Sequence, residues 1–131
     1  MSKRLEKIKN LALHKYLGVK NILSTEGGAE LFAVVNANTV NPAGNYHGGV
    51  LYTLCDVCAY SGLISQLSPE QDPVTHDNHV SVLRPALESD DVTYTSSIVK
   101  LGKTLCFIDV EAQVKGKTIA TARVTKSIVS V

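Results

Sequence analysis

Net charge is the first thing this sequence lacks. Thirteen Lys and Arg stand against twelve Asp and Glu, a formal +1, too little for the broad basic field that non-specific nucleic-acid binding depends on. Cysteine is also scarce. Three cysteines, an odd number without secretory context, fit free thiols in a reducing compartment and not a disulfide framework. No stretch combines a charged start, an apolar run and a small-residue cleavage site, and Glu6 among the N-terminal lysines argues against a mitochondrial transit peptide, so the expected address is the cytoplasm. Repeats, linkers and low-complexity segments are missing as well. The 131 residues, 44% of them apolar, are therefore expected to fill one domain spanning 1–131 around a real core.

Positive charge is absent from a long internal stretch: after Lys20 the next cation is Arg84, and the intervening segment holds carboxylates alone. A phosphate-bearing ligand would have to be gripped from the flanks, where Arg84, Lys100 and Lys103 are the candidates in the second half. Aromatic anchors are missing at the N-terminus. Leu5, Ile8, Ala12 and Tyr16 at helical spacing, ringed by Lys3, Arg4, Lys7 and Lys15, predict a short amphipathic helix within residues 1–17. Its apolar face is small and has neither Trp nor Phe, so it reads as packing on the domain edge and not as lying on a membrane.

What is present is a sheet-forming chain interrupted by one long apolar run. Val19 to Ser24 and Ala29 to Val35 flank Gly27 and Gly28, which predicts a hairpin. The turn formers Asn41, Pro42, Ala43, Gly44 and Asn45 lead through His47, Gly48 and Gly49 into an apolar stretch ending near Leu67. That stretch predicts a long helix, buried nearly all round, with Asp56 as its only charge. The mid-span carboxylate and the sheet-like sequence that follows argue against a membrane span. Val74 to Leu83, Val92 to Leu101, Thr104 to Val114 and Thr118 to Val131 read as strands, the last three joined by glycine-centred turns into an antiparallel meander. A sheet buries one helix only by curling around it, so the expected class is α+β: an antiparallel sheet wrapped around one long central helix, the hotdog arrangement.

Hydrolysis at a carbonyl needs donors for the developing oxyanion and a base or nucleophile nearby. Residues 41–56 offer both. If the helix starts near His47, the amides of Gly48 and Gly49 are unpaired first-turn donors at the positive end of its dipole; equally, the two glycines turn the chain into the helix. Asp56 pays desolvation on an apolar helix with no cation in its own segment, which suits a general base or nucleophile, or else an Asp facing a crevice or backbone amides. Gly48 and Asp56 are eight positions apart, about 12 Å along a helix axis. A reacting carbon must lie roughly 3 Å from both, so if both work they belong to different subunits.

The run Asn41-Pro42-Ala43-Gly44-Asn45-Tyr46-His47-Gly48-Gly49, followed by Asp56, resembles the signature of PaaI-like acyl-CoA thioesterases of the hotdog superfamily. The likeness extends to Arg84, Pro85 and Ala86 after the next strand and to the final meander. It implies hydrolysis of an acyl-CoA, aryl or fatty, with Gly48 polarising the thioester carbonyl, Asp56 as base or nucleophile, Asn41 holding substrate or water, Thr75 supplying a hydroxyl and His47 supporting the loop. It also implies that Asn41 and Gly48 of one subunit face Asp56 and Thr75 of its neighbour, in a dimer or a dimer of dimers. CoA then lies along the interface, with Gly49, Arg84, Lys100 and Lys103 as contacts. No cofactor is expected.

Two patterns read as distractors. Cys55 and Cys58 form C-x-x-C inside the helix, not at its exposed start, and read as core packing. His76 and His79 alternate faces on a strand and do not chelate one metal, so none is expected. Two rival functions remain: a hotdog hydratase or dehydratase, whose proline-rich loop is matched here by Pro42 alone, and a non-catalytic acyl-CoA-binding module, which the intact Asn41, Gly48 and Asp56 set disfavours.

Overall fold

A computed structural model describes residues 2–131. Helices α1 (Lys3–Lys9) and α2 (Ala12–Tyr16) precede strands β1 (Val19–Thr25) and β2 (Gly28–Val34), helix α3 (Gly48–Ile64), and strands β3 (Gln71–Val82), β4 (Asp91–Leu101), β5 (Leu105–Val114) and β6 (Lys117–Ser130). The strands form one sheet in the order β1-β2-β4-β5-β6-β3, with every neighbouring pair antiparallel. Sheet and helix are thus arranged as the residue pattern requires, and α3 touches all six strands. Leu54, Cys55, Cys58, Ala59 and Leu63 are fully buried against Ile22, Leu31, Tyr94, Ile108 and Val124 from the sheet. Each large side chain removed from water in this way contributes about 1.5–3 kcal/mol.

One contact brings helix and sheet close enough for this packing. Gly62 of α3 lies over Gly28 and Ser96, and a β-carbon on Gly28 would fall 1.8 Å from the Ser96 carbonyl oxygen. The Ser96 hydroxyl links the layers, donating to the Cys58 carbonyl (3.0 Å) and accepting from the Ala29 amide (3.0 Å). Gly28 is therefore a strand residue at a close approach. The left-handed turn residue is Gly27, at φ +75°.

Three expectations are corrected. The N-terminal segment is two short helices, because the Asn10 side chain bonds back to the Glu6 carbonyl (2.9 Å) and competes with continuation of the helix. Leu5 and His14 are buried there, whereas Tyr16 is 58% exposed. Secondly, α3 is not buried all round: Gly49, Tyr52, Thr53, Asp56 and Tyr60, along one side of the helix, stay partly or fully exposed. The sheet curls around one side of the helix only. Thirdly, β3 carries a bulge between Thr75 and Asp77, which breaks the strict alternation assumed for His76 and His79. His79 lies beside Asp77 (3.8 Å), and among the described residues no cluster of three His, Cys, Asp or Glu could hold a metal.

Candidate active site

The start of α3 is built almost entirely from backbone. The Asn41 side-chain carbonyl accepts from the amides of Ala43 and Asn45 (3.0 Å each), folding the turn-former cluster back on itself, with Gly44 at φ +83°. The Asn41 NH2 makes no hydrogen bond among the described residues. Tyr46 pins the loop to the core: its amide donates to the Ala86 carbonyl (2.7 Å), and its hydroxyl meets that of Tyr94 (2.7 Å), both rings buried. Burial pushes the Tyr46 hydroxyl up to about 12, so it stays protonated and in the pair.

His47 then caps the helix. Its amide donates to the Thr39 carbonyl (2.8 Å), and its Nδ1 accepts from the Gly49 amide (2.9 Å). Gly49, expected as a second free donor, is therefore engaged by the cap. The amides of Val50 and Leu51 both point at the His47 carbonyl, and among the described residues only the Gly48 N–H of this first turn lacks a partner. A β-carbon on Gly48 would meet nothing within 4 Å, so the α-carbon beside that amide is uncrowded.

The middle of α3 is built from side chains. Thr75, on β3, donates its hydroxyl to Asp56 (2.8 Å to Oδ1, 3.0 Å to Oδ2). Lys126, on β6, donates to Asp56 Oδ1 (2.6 Å) and to the Thr75 hydroxyl (2.8 Å). Thr75 and Lys126 are cross-strand partners, so their side chains share the face turned toward α3. Lys126 is 1% exposed and its ammonium lies 5.4 Å from the Tyr60 ring centroid. Burial lowers its proton affinity below that of an ordinary lysine, against the opposing pull of Asp56. The expectation that Asp56 stands without an ion pair holds for its own segment but not for the folded chain.

This cluster opens into a cleft of about 580 Å³, walled by Ile8 and Leu11 of the N-terminal helices, Val57 of α3, and Pro73 and Val74 of β3. At its rim the Tyr60 hydroxyl donates to Asp72 (2.6 Å), and Arg4 bonds the same carboxylate oxygen (3.0 Å), tying α1 to the site.

The fold thus gathers the expected residues into two groups: Asn41, His47 and Gly48 at the helix start, and Asp56 with Thr75 near its middle. Because α3 runs unbroken from Gly48 to Ile64, about 12 Å of axis separates the groups within a chain. Arg84, Lys100 and Lys103 are exposed and do not form one patch. Arg84 follows β3 next to the helix-start loop, where Asn45 bridges Leu87, whereas Lys103 sits in the β4–β5 turn, whose Thr104 carbonyl accepts from Ile128 just beyond Lys126. Cys55 and Cys58 are buried free thiols, each pushed to about 12, chiefly by burial, far from a reactive thiolate.

Lys126 went unnoticed in the sequence, although a signal exists. Ala120, Ala122 and Val124 mark the inward phase of β6, and Lys126 falls on that same phase.

The family model described as Thioesterase superfamily matches residues 43–125. Acyl-coenzyme A thioesterase PaaI of Escherichia coli (strain K12) is 32% identical over 116 residues, covering 87% of this chain and 80% of that protein. The solved structure of the E. coli PaaI protein from the phenylacetic acid degradation operon superposes with a TM-score of 0.85 at 28% identity, covering 95% of this chain and 89% of the other. Human acyl-coenzyme A thioesterase 13 is 29% identical over 129 residues, 96% of this chain and 90% of that protein. A hypothetical thioesterase from Streptococcus pneumoniae, solved with coenzyme A, gives a TM-score of 0.76 at 26% identity, with 86% and 84% coverage.

Proposed function

The chain belongs to the thioesterase superfamily, as a PaaI-like hotdog enzyme that hydrolyses thioesters, and from that premise we propose that it cleaves acyl-CoA with water activated by Asp56 and the oxyanion stabilised by Gly48. The carrying observation is the pairing of one unpartnered amide beside an uncrowded α-carbon, at Gly48, with one hydrogen-bonded carboxylate at a cleft, Asp56. In this reading Asp56 takes a proton from water, the hydroxide adds to the thioester carbon, and the charge on the carbonyl oxygen falls on the Gly48 N–H. Collapse breaks the carbon–sulfur bond and the proton passes to the CoA sulfur, giving free acid and CoA.

Twelve ångströms cannot be bridged within a chain, so the Gly48 group of one subunit meets the Asp56 and Thr75 of another, in a dimer that itself pairs further. Support comes from β3, a sheet edge with Val74 and Val82 about half exposed, beside the uncovered Tyr52 of α3. The cleft beside Asp56 takes the acyl group, and the Asn41 NH2 holds substrate or water. Arg84 of one subunit and Lys100 or Lys103 of the other lie along the CoA path. The protein acts in the cytoplasm as one domain, without cofactor; no helix among its described residues is long and apolar enough to cross a membrane. The test is CoA release from a panel of acyl-CoAs by wild type and Asp56→Ala. A loss of about 10²–10⁴ in turnover is expected. Undiminished turnover removes Asp56 from the mechanism, and tight binding without turnover by wild type points instead to an acyl-CoA-binding module.

A further inference from the structure

The geometry points to Lys126 as a positioning residue: with Thr75 it clamps Asp56 Oδ1 and leaves Oδ2 as the oxygen that meets the attacking water. This rests on the catalytic reading of Asp56. An ammonium has three donors. One reaches Asp56 Oδ1 at 2.6 Å, a second reaches the Thr75 hydroxyl at 2.8 Å, and the Tyr60 ring lies 5.4 Å away on the remaining side. Because the Thr75 oxygen accepts from Lys126, its own proton is directed at the carboxylate, and the three side chains close a triangle. Both short arms of that triangle end on Oδ1. Oδ2 receives only the longer contact from Thr75, at 3.0 Å, on a side chain one-third exposed to the cleft.

Lone pairs spent on two donors are poor at taking a proton, so the less encumbered oxygen is the base, and the carboxylate cannot swivel to exchange the two. The position argues for function as well. Its inward neighbours on β6 are Ala122 and Val124, and an apolar side chain there would fill the space without the cost of burying a charge. What an apolar side chain could not do is hold Asp56 ionised and aimed.

A double-mutant cycle of Lys126→Met and Asp56→Asn tests this, read as kcat, KM and melting temperature. Lys126→Met is expected to lower kcat by on the order of 100-fold, the scale of a misplaced catalytic group, with KM changed by less than about threefold. In the Asp56→Asn background it is expected to cost nothing further. Melting should couple too: Asp56→Asn leaves the buried ammonium without its anion and lowers the midpoint, and adding Lys126→Met recovers part of the loss. Wild-type kcat in Lys126→Met, or losses that multiply across the cycle, overturns the clamp. If Lys126→Met does not fold, the same cycle with Lys126→Gln decides. Should wild type release CoA from no acyl-CoA, the thioesterase reading fails on its own, while the melting cycle still judges the clamp: additive shifts reject it and non-additive shifts support it.

Discussion

The two ends of the stretch of α3 proposed to be catalytic are made by different means. At the start, a contiguous run of residues folds on itself through the Asn41 turn and the His47 cap, and the product is a single free amide at Gly48. Near the middle, two side chains from two strands, Thr75 and Lys126, converge on the carboxylate of Asp56. The first kind of site draws mostly on contiguous chain geometry, anchored to the core through Tyr46, and tolerates exposure. The second depends on the register of β3 against β6 and buries a charge. Taking a neutral amide donor out of water costs far less than burying an acid that must be held ionised, which is why the more expensive construction sits at the acid.

The largest effects come from separating the two ends. Gly48→Pro deletes the free N–H and little else: proline is favoured at the first position of a helix, and His47 already has the extended backbone, ψ 130°, required of a residue before proline. Turnover should fall about 10²–10³-fold, as on removing one oxyanion donor, with the melting temperature nearly unchanged. Mixing is sharper still. Co-assembled Gly48→Pro and Asp56→Ala chains, each inactive alone, should regain roughly a quarter of wild-type activity, since half of random pairs are mixed and each holds one intact site of two. Mixed protein as inactive as its parents would mean that the ends do not meet across subunits.

A smaller effect separates them by pH. Among the described residues the Lys126 ammonium is the only cation in contact with Asp56, and burial makes it release its proton below the ordinary lysine value of 10.5. Turnover should therefore decline on the alkaline side as the clamp opens, and Lys126→Met should lose that limb. The groups facing Lys126 are Asp56 and Tyr60 of α3, Asp72 and Thr75 of β3 with Arg4 of α1 behind it, and Cys106 of β5. Tyr60 and Cys106 are both raised, chiefly by burial, and titrate later than they would in water. Stability has the opposite sign. Between the folded and unfolded values of Lys126 the unfolded chain holds more protons, so this group's contribution to stability rises with pH as its burial penalty is relieved. A pH profile in which activity and melting temperature fell together would assign the loss to unfolding instead.

The same contrast explains how much of the molecule its sequence discloses. The helix-start loop was readable because its determinants are contiguous: Asn41 to Gly49 is one turn, one cap and one glycine pair. The strands were readable from their Val, Ile and Thr content and the glycine turns between them, the long helix from its unbroken apolar run, and the curling of the sheet from there being one helix to bury. Lys126 was not, because pairing it with Asp56 across 70 positions requires the β3–β6 register and the bulge at His76, and a bulge leaves no trace in an alternation pattern until the partner strand is known. The exposed stripe of α3 escaped for a related reason. Tyr52 and Tyr60 count as apolar in any sequence pattern, yet Tyr60 lines a cleft and Tyr52 is exposed.

The smallest effect falls at the one point where the backbone-built end leans on the core. The Tyr46 and Tyr94 hydroxyls satisfy each other at 2.7 Å in a site from which water is excluded, so each is costly only when the other is removed. Tyr46→Phe or Tyr94→Phe alone strands a buried hydroxyl and should lower unfolding stability by about 1–3 kcal/mol, while the double substitution replaces both partners by apolar rings and should cost less than the two singles summed. Chemical denaturation of the four proteins measures this. Turnover adds the second reading: if the pair merely fills the core, kcat follows none of these changes, but if it fixes the loop that presents Gly48, Tyr46→Phe lowers kcat by a few-fold while the Asp56 end, about two turns away and tied to other strands, keeps its substrate affinity. An unchanged kcat in both single variants would leave the Gly48 amide positioned by the His47 cap and the Asn41 turn alone.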